Sequence, residues 1–253
     1  AGSTMNEYER IGTGYARNRR ADRRLTAAIA AALDGNRNVL NVGAGAGSYE
    51  PSGLAAVAVE PAATMIAQRP RGSAPCVRAR AEALPFGDQT FDAGLAVLTL
   101  HHWSDWQAGL GELARVVCRK VVLFTWDPDS EGFWLRDYLP EMLAKDRRRF
   151  PKLDDLRTVL GDVRVQRVPI PHDCTDGFLG AYWRRPDAYL DPSIRHSISS
   201  LAREEFAAGI ARLAADLESG AWARRHGHVL GAAELDIGYC LVIANVGRRG
   251  SLD

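Results

Sequence analysis

Lysine is almost missing from this 253-residue chain: Lys120, Lys145 and Lys152 stand alone among 32 basic residues, and arginine carries the rest. Set against 31 acidic residues, the formal charge is +1, so no net field draws nucleic acid or an anionic membrane. The arginine bias, with many alanines, reads as a high-GC coding signature and not as a binding signal. Cysteine is sparse as well. Cys76, Cys118, Cys174 and Cys240 have no CxxC or other metal-type spacing, which excludes a zinc or redox motif and leaves reduced, mostly buried thiols. No apolar run reaches the roughly 18 residues of a membrane span. The start has neither a basic n-region nor an apolar stretch, and the residues before Met5 look like an expression remnant; the chain is expected in the cytoplasm. GK[ST], Tyr-x-x-x-Lys, internal repeats and low-complexity linkers are also missing, which removes P-loop and common hydride-transfer chemistries.

What is present is an ordinary globular composition, 46% hydrophobic and 25% charged, sufficient for a single domain over residues 6–253. Residues 6–35 read as a helical arm, with Leu25, Ile29 and Leu33 at i, i+4, i+8 and Gly35 as the stop. Apolar runs at 39–42, 55–59, 76–77, 91–100 and 120–126 read as five strands. A helical face of Trp106, Leu110, Leu113 and Val117 separates the last two. Such alternation implies a doubly wound α/β fold with a mostly parallel sheet. Helices near 133–148 and 153–160 lead to a sixth strand at 163–170, and 237–244 is a seventh. Residues 175–234, with Phe206, Ile210, Leu213 and Leu217 on one helical face, are too many for a loop and read as an inserted helical lid.

Residues 39–50 read VLNVGAGAGSYE: Gly43, Gly45 and Gly47 follow a strand and are expected to precede a helix. Glycines there let the chain turn sharply and let a ligand meet bare backbone. Glu60, ending the second strand before Pro61, can accept hydrogen bonds from both hydroxyls of a ribose. No basic residue lies near the loop in sequence, so a pyrophosphate is disfavoured. A cofactor with a zwitterionic amino-acid end and a cationic reactive centre fits better.

VLNVGAGAGSYE, then VAVEP, then RAEALPFGDQTFDAGLAVLTLHHWSD resembles the class I S-adenosylmethionine-dependent methyltransferases, specifically the small-molecule branch that includes the ubiquinone and menaquinone biosynthesis enzymes. The resemblance covers residues 36–126. It implies a Rossmann-like seven-stranded sheet with an antiparallel last strand, and S-adenosyl-L-methionine as cofactor. It places Gly43, Ala44, Gly45 and Gly47 beside the methionine moiety and ribose, Glu60 on the ribose, and Pro61 and Met65 against the adenine. Ala81 and Glu82 would cover the other adenine face, and Leu98 and Thr99 would pass near the sulfonium. Tyr15 and one of Arg19 or Arg20, in the arm, would lie over the cofactor, where an arginine suits its carboxylate. Two positions depart from the pattern: Asn41 stands where an acidic residue is usual, and Arg80 where an Asp is common.

Methyl transfer needs a nucleophile, methyl and sulfur held in line, and a base only where the nucleophile carries a proton. His101 and His102, just past the fourth strand, and His172, after the sixth, are the candidate bases. Cys174 lies near His172, but no second cluster completes a ligand set, so no metal is expected. Trp126, ending the fifth strand, with Trp134, Tyr138, Tyr182 and Trp183, would line the substrate pocket. The acceptor expected is a small molecule, without nucleic acid or membrane partners, for a monomer or homodimer. Nucleic-acid amino-methyltransferases of this fold carry Asn/Asp-Pro-Pro-aromatic where this chain has Thr99-Leu100-His101-His102. A cofactor-binding protein without transfer activity, or methylation of a macromolecule, is the alternative.

Overall fold

The computed structural model describes residues 19–202 and 204–246. Helix α1 (Arg23–Ala32) starts where the Asp22 carboxylate accepts the Arg24 N–H, and the Leu25–Ile29–Leu33 stripe is buried as its spacing requires. Strands β1 (Asn38–Val42), β2 (Ala55–Val59), β3 (Cys76–Val77), β4 (Phe91–Val97), β5 (Val117–Trp126) and β6 (Val163–Arg167) follow. After a two-residue β7 (Ile170–Pro171) and β8 (Glu234–Leu235) comes β9 (Tyr239–Asn245). Seven of them form one sheet in the order β3-β2-β1-β4-β5-β9-β6. Neighbours from β3 to β5 pair in parallel, while β9 runs antiparallel to both β5 and β6. This is a Rossmann-like seven-stranded sheet with a reversed late strand, as the resemblance implies.

Both faces are covered, and side-chain alternation divides the core. Along β5, Val121 and Leu123 join the side packed by α3 (Trp106–Val116) and by α5 (Leu153–Leu160). Val122, Phe124 and Trp126 join the side packed by α1 and the later helices. The chain between β7 and β8 holds α6 (Pro192–Ser197), α7 (Ala207–Glu218), α8 (Ala221–His226) and several single turns. Its Trp183, Tyr189 and Leu213 belong to the same continuous core as Val39 and Ala93, so this insertion is packed down on the sheet.

Four local expectations need correction. No helix follows the glycine loop: residues 43–54 are turns, because Gly43, Gly45 and Gly47 all take left-handed backbone that an α-helix cannot include. The fourth strand stops at Val97, since Leu98 turns to φ +48°, and residues 100–102 become one tight turn of helix. The helix expected at 133–148 is split into a turn, Trp134–Asp137, and α4 (Pro140–Arg149), because Pro140 can only open a helix. The strand expected at 163–170 breaks at Pro169, which lacks the N–H to continue the ladder; Ile170 then pairs with Leu235 instead. A single short helix, α2 (Ala63–Ile66), lies between β2 and β3. Among the described residues no helix is long and apolar enough to cross a membrane.

Candidate active site

The C-terminal ends of β1, β2, β4 and β5 meet along one edge of the sheet, where ligands bind in open α/β folds. At β1 the Gly43 and Ala44 N–H groups both donate to the Val59 carbonyl, at 2.8 and 3.0 Å. A Cβ on Gly43 would stand 2.1 Å from Thr99 Oγ1, so the loop and the end of β4 touch only because that residue is glycine. Glu60, 6% exposed, accepts the Gly45 N–H on one oxygen at 2.8 Å and the Ala62 N–H on the other at 2.9 Å. Burial pushes its carboxyl above the usual range, against the pull of those two N–H groups and the Arg69 charge. A carboxylate offers about four lone-pair sites, so one remains on each oxygen, the pattern a vicinal diol takes.

Sequence reasoning missed Arg69 and Glu50. Their side chains pair, Arg69 also donates to the Gly45 and Ala74 carbonyls, and Glu50 accepts the Ala74 N–H at 2.6 Å. A basic residue therefore does reach the glycine loop, from α2's far side, with its donors spent on bracing the backbone. The other adenine-side candidates are placed unevenly. Pro61 is half-buried beside Glu60, while Met65 is 2% exposed with its methyl under Gly45. Ala81 is buried and lies within contact of α3 at Gly109. Glu82 accepts the Ser104 hydroxyl and the Asp105 N–H on one oxygen, at 2.7 and 3.1 Å, which ties it to the loop before α3.

Beyond Leu98 a small cleft, part of it open to solvent, lies between the ends of β4 and β5, α4 and the insertion. His101, His102 and Trp126 line it. His101 stacks on Phe150, centroids 4.0 Å apart, and meets the His102 ring at a tilt, 3.8 Å between centroids; its buried Nδ1 has no hydrogen-bond partner. Arg149 donates to His102 Nδ1 at 3.4 Å. Burial first, then the charges of Arg149 and Arg19, push both imidazoles well below their ordinary value, and His102 adds to the effect on His101. Both are neutral at pH 7.

Arg19 also lines the cleft, but its guanidinium is held by Asp176, Nε to Oδ1 at 2.7 Å, and the Tyr49 hydroxyl donates to the same carboxylate at 2.9 Å. Arg20 is exposed, and Tyr15 lies outside the described residues. His172 is a correction: it sits half-open on the β7–β8 pair, Nδ1 donating to the Ala233 carbonyl, and takes no part in the cleft. Four of the expected pocket aromatics are core instead. Trp134 Nε1 donates to the Trp183 carbonyl, Trp183 Nε1 to Ile170, and Tyr138 to Asp216, while Tyr182 lies under Arg185. Trp183 is completely buried. Phe150, Phe178 and Tyr239 take their place around the cleft. The antiparallel register that sets Tyr239 opposite Trp126 was the signal that could have found one of them.

Residues 40–125 match the family model described as a methyltransferase domain. A solved structure from Anabaena variabilis, ascribed to a methyltransferase of an antibiotic biosynthesis pathway, is 32% identical. It covers 90% of this chain and 98% of its own, with a TM-score of 0.81. An uncharacterized Mycobacterium tuberculosis protein is 31% identical over 132 residues, 44% of this chain and 47% of the relative, so the match spans about half the length of that relative. Phosphoethanolamine N-methyltransferase 2 of Haemonchus contortus, solved with S-adenosylhomocysteine, shares the fold at 14% identity and TM-score 0.54, covering 96% of this chain and 57% of the other. Glycine loop, buried Glu60 and the diol-ready oxygens fit S-adenosylmethionine, and the chain belongs to the S-adenosylmethionine-dependent methyltransferases.

Proposed function

We propose that this chain is a cytoplasmic enzyme that transfers a methyl group from S-adenosylmethionine to a small-molecule acceptor held in the cleft. One observation carries the reading: the cofactor cradle and the cleft share a wall. Thr99 packs on Gly43 while its neighbour Leu98 lines the cleft, so the two ligands would meet across two adjacent residues. The Anabaena protein's ascription to antibiotic biosynthesis supports a small-molecule acceptor. So does the near-zero charge. The branch proposed is the one that includes the ubiquinone and menaquinone enzymes.

S-adenosylmethionine supplies a methyl carbon made electrophilic by its positive sulfur, which leaves with the bonding pair. Everything else is positioning. Gly43, Ala44, Gly45 and Gly47 would meet the amino-acid end and ribose, and Glu60 would take the ribose hydroxyls. Residues 36–126 would hold the cofactor, and 175–234 would cover the acceptor. Orientation of this kind is worth roughly 7–11 kcal/mol of barrier. His101, neutral and lining the cleft beside Leu98, takes the acceptor's proton, adding about 10²–10⁴-fold.

Calorimetric titration with S-adenosylhomocysteine and with NADH tests the cofactor; binding of NADH alone overturns the proposal. A panel of small acceptors read by S-adenosylhomocysteine release tests the transfer. Cofactor binding without release on any acceptor would favour a binding protein.

A further inference from the structure

The cleft is smaller than any organic acceptor. It encloses about 40 Å³, against the roughly 150 Å³ that admits a single benzene ring. Phe150 stops it up. Its ring, 7% exposed, lies face-on to His101, 17° between planes and 4.0 Å between centroids, and edge-on to Trp126 at 5.5 Å.

Local rules put the ring there. Pro151 follows Phe150, and the residue before a proline is held to extended backbone, so α4 stops at Arg149 and Phe150 leaves it at φ −81° and ψ 130°. Its N–H still donates to the Asp146 carbonyl at 2.8 Å, which makes the ring one piece with the last turn of α4. The outward ties of this helix are polar: Arg149 to His102 Nδ1 at 3.4 Å, Arg147 to Asp129 at 2.8 Å, Lys145 to Glu205, and Ser200 to Asp146. On the other side of the cleft, Trp126 and Tyr239 face each other on paired strands inside the sheet, and Trp126 Nε1 is fixed on the Ile237 carbonyl at 2.8 Å. Of these walls, α4 is the one that can yield.

The closed arrangement also carries a cost at this place. Among the described residues, five buried side-chain polar atoms have no hydrogen-bond partner, and two of them flank Phe150. One is Nδ1 of the imidazole that its ring covers, and the other is Asp146 Oδ2, one turn earlier in α4. A buried polar atom without a partner has lost its water and gained nothing in exchange. An outward swing of the last turn of α4 would hydrate both atoms and uncover His101.

We infer that Phe150 is a gate: its ring plugs the cleft over His101, and an outward swing of residues 146–150 opens it. As control of acceptor entry this rests on the methyl-transfer reading; the plug itself rests on the contacts alone. An acceptor reaches His101 only after the ring has left, so opening precedes proton transfer and sets an upper limit on turnover.

The test is labelling of the full chain with diethyl pyrocarbonate, which acylates accessible neutral imidazole, read residue by residue from peptide masses. Exposed His228 is the internal reference. In the wild type His101 should react on the order of 100-fold more slowly than His228, and Phe150→Ala should speed His101 about tenfold with His228 unchanged. Comparable wild-type rates for the two histidines, or no acceleration in a folded Phe150→Ala chain, overturns the gate. A second measurement needs no variant. In wild type at urea concentrations well below unfolding, labelling through a local swing is nearly indifferent to urea, whereas labelling through global unfolding rises steeply with it. A steep dependence throughout, or no labelling of His101 short of unfolding, overturns the gate even where Phe150→Ala fails to fold. Failure of S-adenosylhomocysteine to bind in a calorimetric titration overturns the methyl-transfer reading instead, and the labelling still decides the plug.

Discussion

Arg19 grips the carboxylate of Asp176 at 2.7 Å, and that carboxylate is wholly shut away from solvent while the guanidinium is 13% exposed. The pair joins the chain just before α1 to the start of the insertion, and the Tyr49 hydroxyl, from the stretch after the glycine loop, donates to it as well. Because the two partners differ in exposure, removing them should differ in cost. Arg19→Ala strands a buried carboxylate and should cost about 3–5 kcal/mol. Asp176→Asn keeps an acceptor for Arg19 and presents an amide N–H to the Tyr49 hydroxyl, which can turn to accept it, and should cost about 1–2 kcal/mol. Urea unfolding with unchanged slope measures both, and an equal or reversed order would show that water reaches Asp176.

Glu60 braces the loop and, on the proposed reading, also holds the ribose, so its loss should be felt in two ways. Glu60→Ala removes the acceptor for Gly45 and Ala62 and, on the proposed reading, both ribose contacts. The affinity for S-adenosylhomocysteine should fall on the order of 100-fold, since each bond to a charged group contributes about 1.5–3 kcal/mol. Calorimetry reads this directly. Unchanged affinity removes Glu60 from the cofactor site.

These two residues mark the limits of what could be read from sequence. Glu60 was legible because a strand, a glycine turn and an acid at the next strand end occur in fixed order along the chain, and β1, β2, β4 and β5 followed from apolar runs. The Arg19–Asp176 contact joins residues 157 apart, and no local pattern encodes it. The same holds for the aromatics. Trp134 with Tyr138, and Tyr182 with Trp183, form two aromatic pairs in sequence, yet their polar atoms find partners within the core or lie under Arg185; Phe150 ends a charged helix and looks like a cap. Which ring faces a cleft depends on how the insertion docks, and docking is set by contacts distant in sequence. The missing helix after Gly47 has a more local cause, since three left-handed glycines in succession already argue against it.

Gly43 and Gly72 offer a clean comparison of strain with clash. Both take positive φ, +71° and +87°, but a Cβ on Gly72 meets nothing within 4 Å while one on Gly43 meets Thr99 at 2.1 Å. Gly72→Ala should cost about 1–2 kcal/mol, the price of the left-handed backbone. Gly43→Ala should cost clearly more, and should also weaken S-adenosylhomocysteine binding as the loop shifts. Equal unfolding midpoints for the two variants would mean that Thr99 moves aside freely.

Proton transfer to His101 predicts an acid limb at unusual pH. Burial lowers its pKa, and the charges of His102, Arg149 and Arg19 lower it further, so the imidazole stays neutral well below pH 6.5. The acid limb of kcat/KM should therefore lie below 6.5, and Arg149→Gln should move it upward by removing a nearby positive charge. Carbon-13 NMR titration of labelled histidine checks the same shift without turnover. A limb at or above 6.5, or one indifferent to Arg149, excludes His101 as the base.

Asp146 should make stability fall as pH rises through the mildly acidic range. It faces inward from α4, 1% exposed, with Oδ2 lacking any hydrogen-bond partner and Arg149 as far as 4.0 Å. Burial pushes its carboxyl up to about 6, against bonding from Ser200 and the Arg149 charge. The unfolded chain releases that proton near pH 3.8. Between those values the folded state holds more protons than the unfolded one, so wild-type stability drops with rising pH, by about 3 kcal/mol in full. Asp146→Asn cannot ionise and loses that slope. Relative to wild type, the variant should gain stability steadily from pH 4 to pH 7 and level off above, an advantage amounting to several degrees in Tm. Parallel pH–Tm curves for the two proteins would show that Asp146 stays ionised in the fold, with its charge compensated by Arg149.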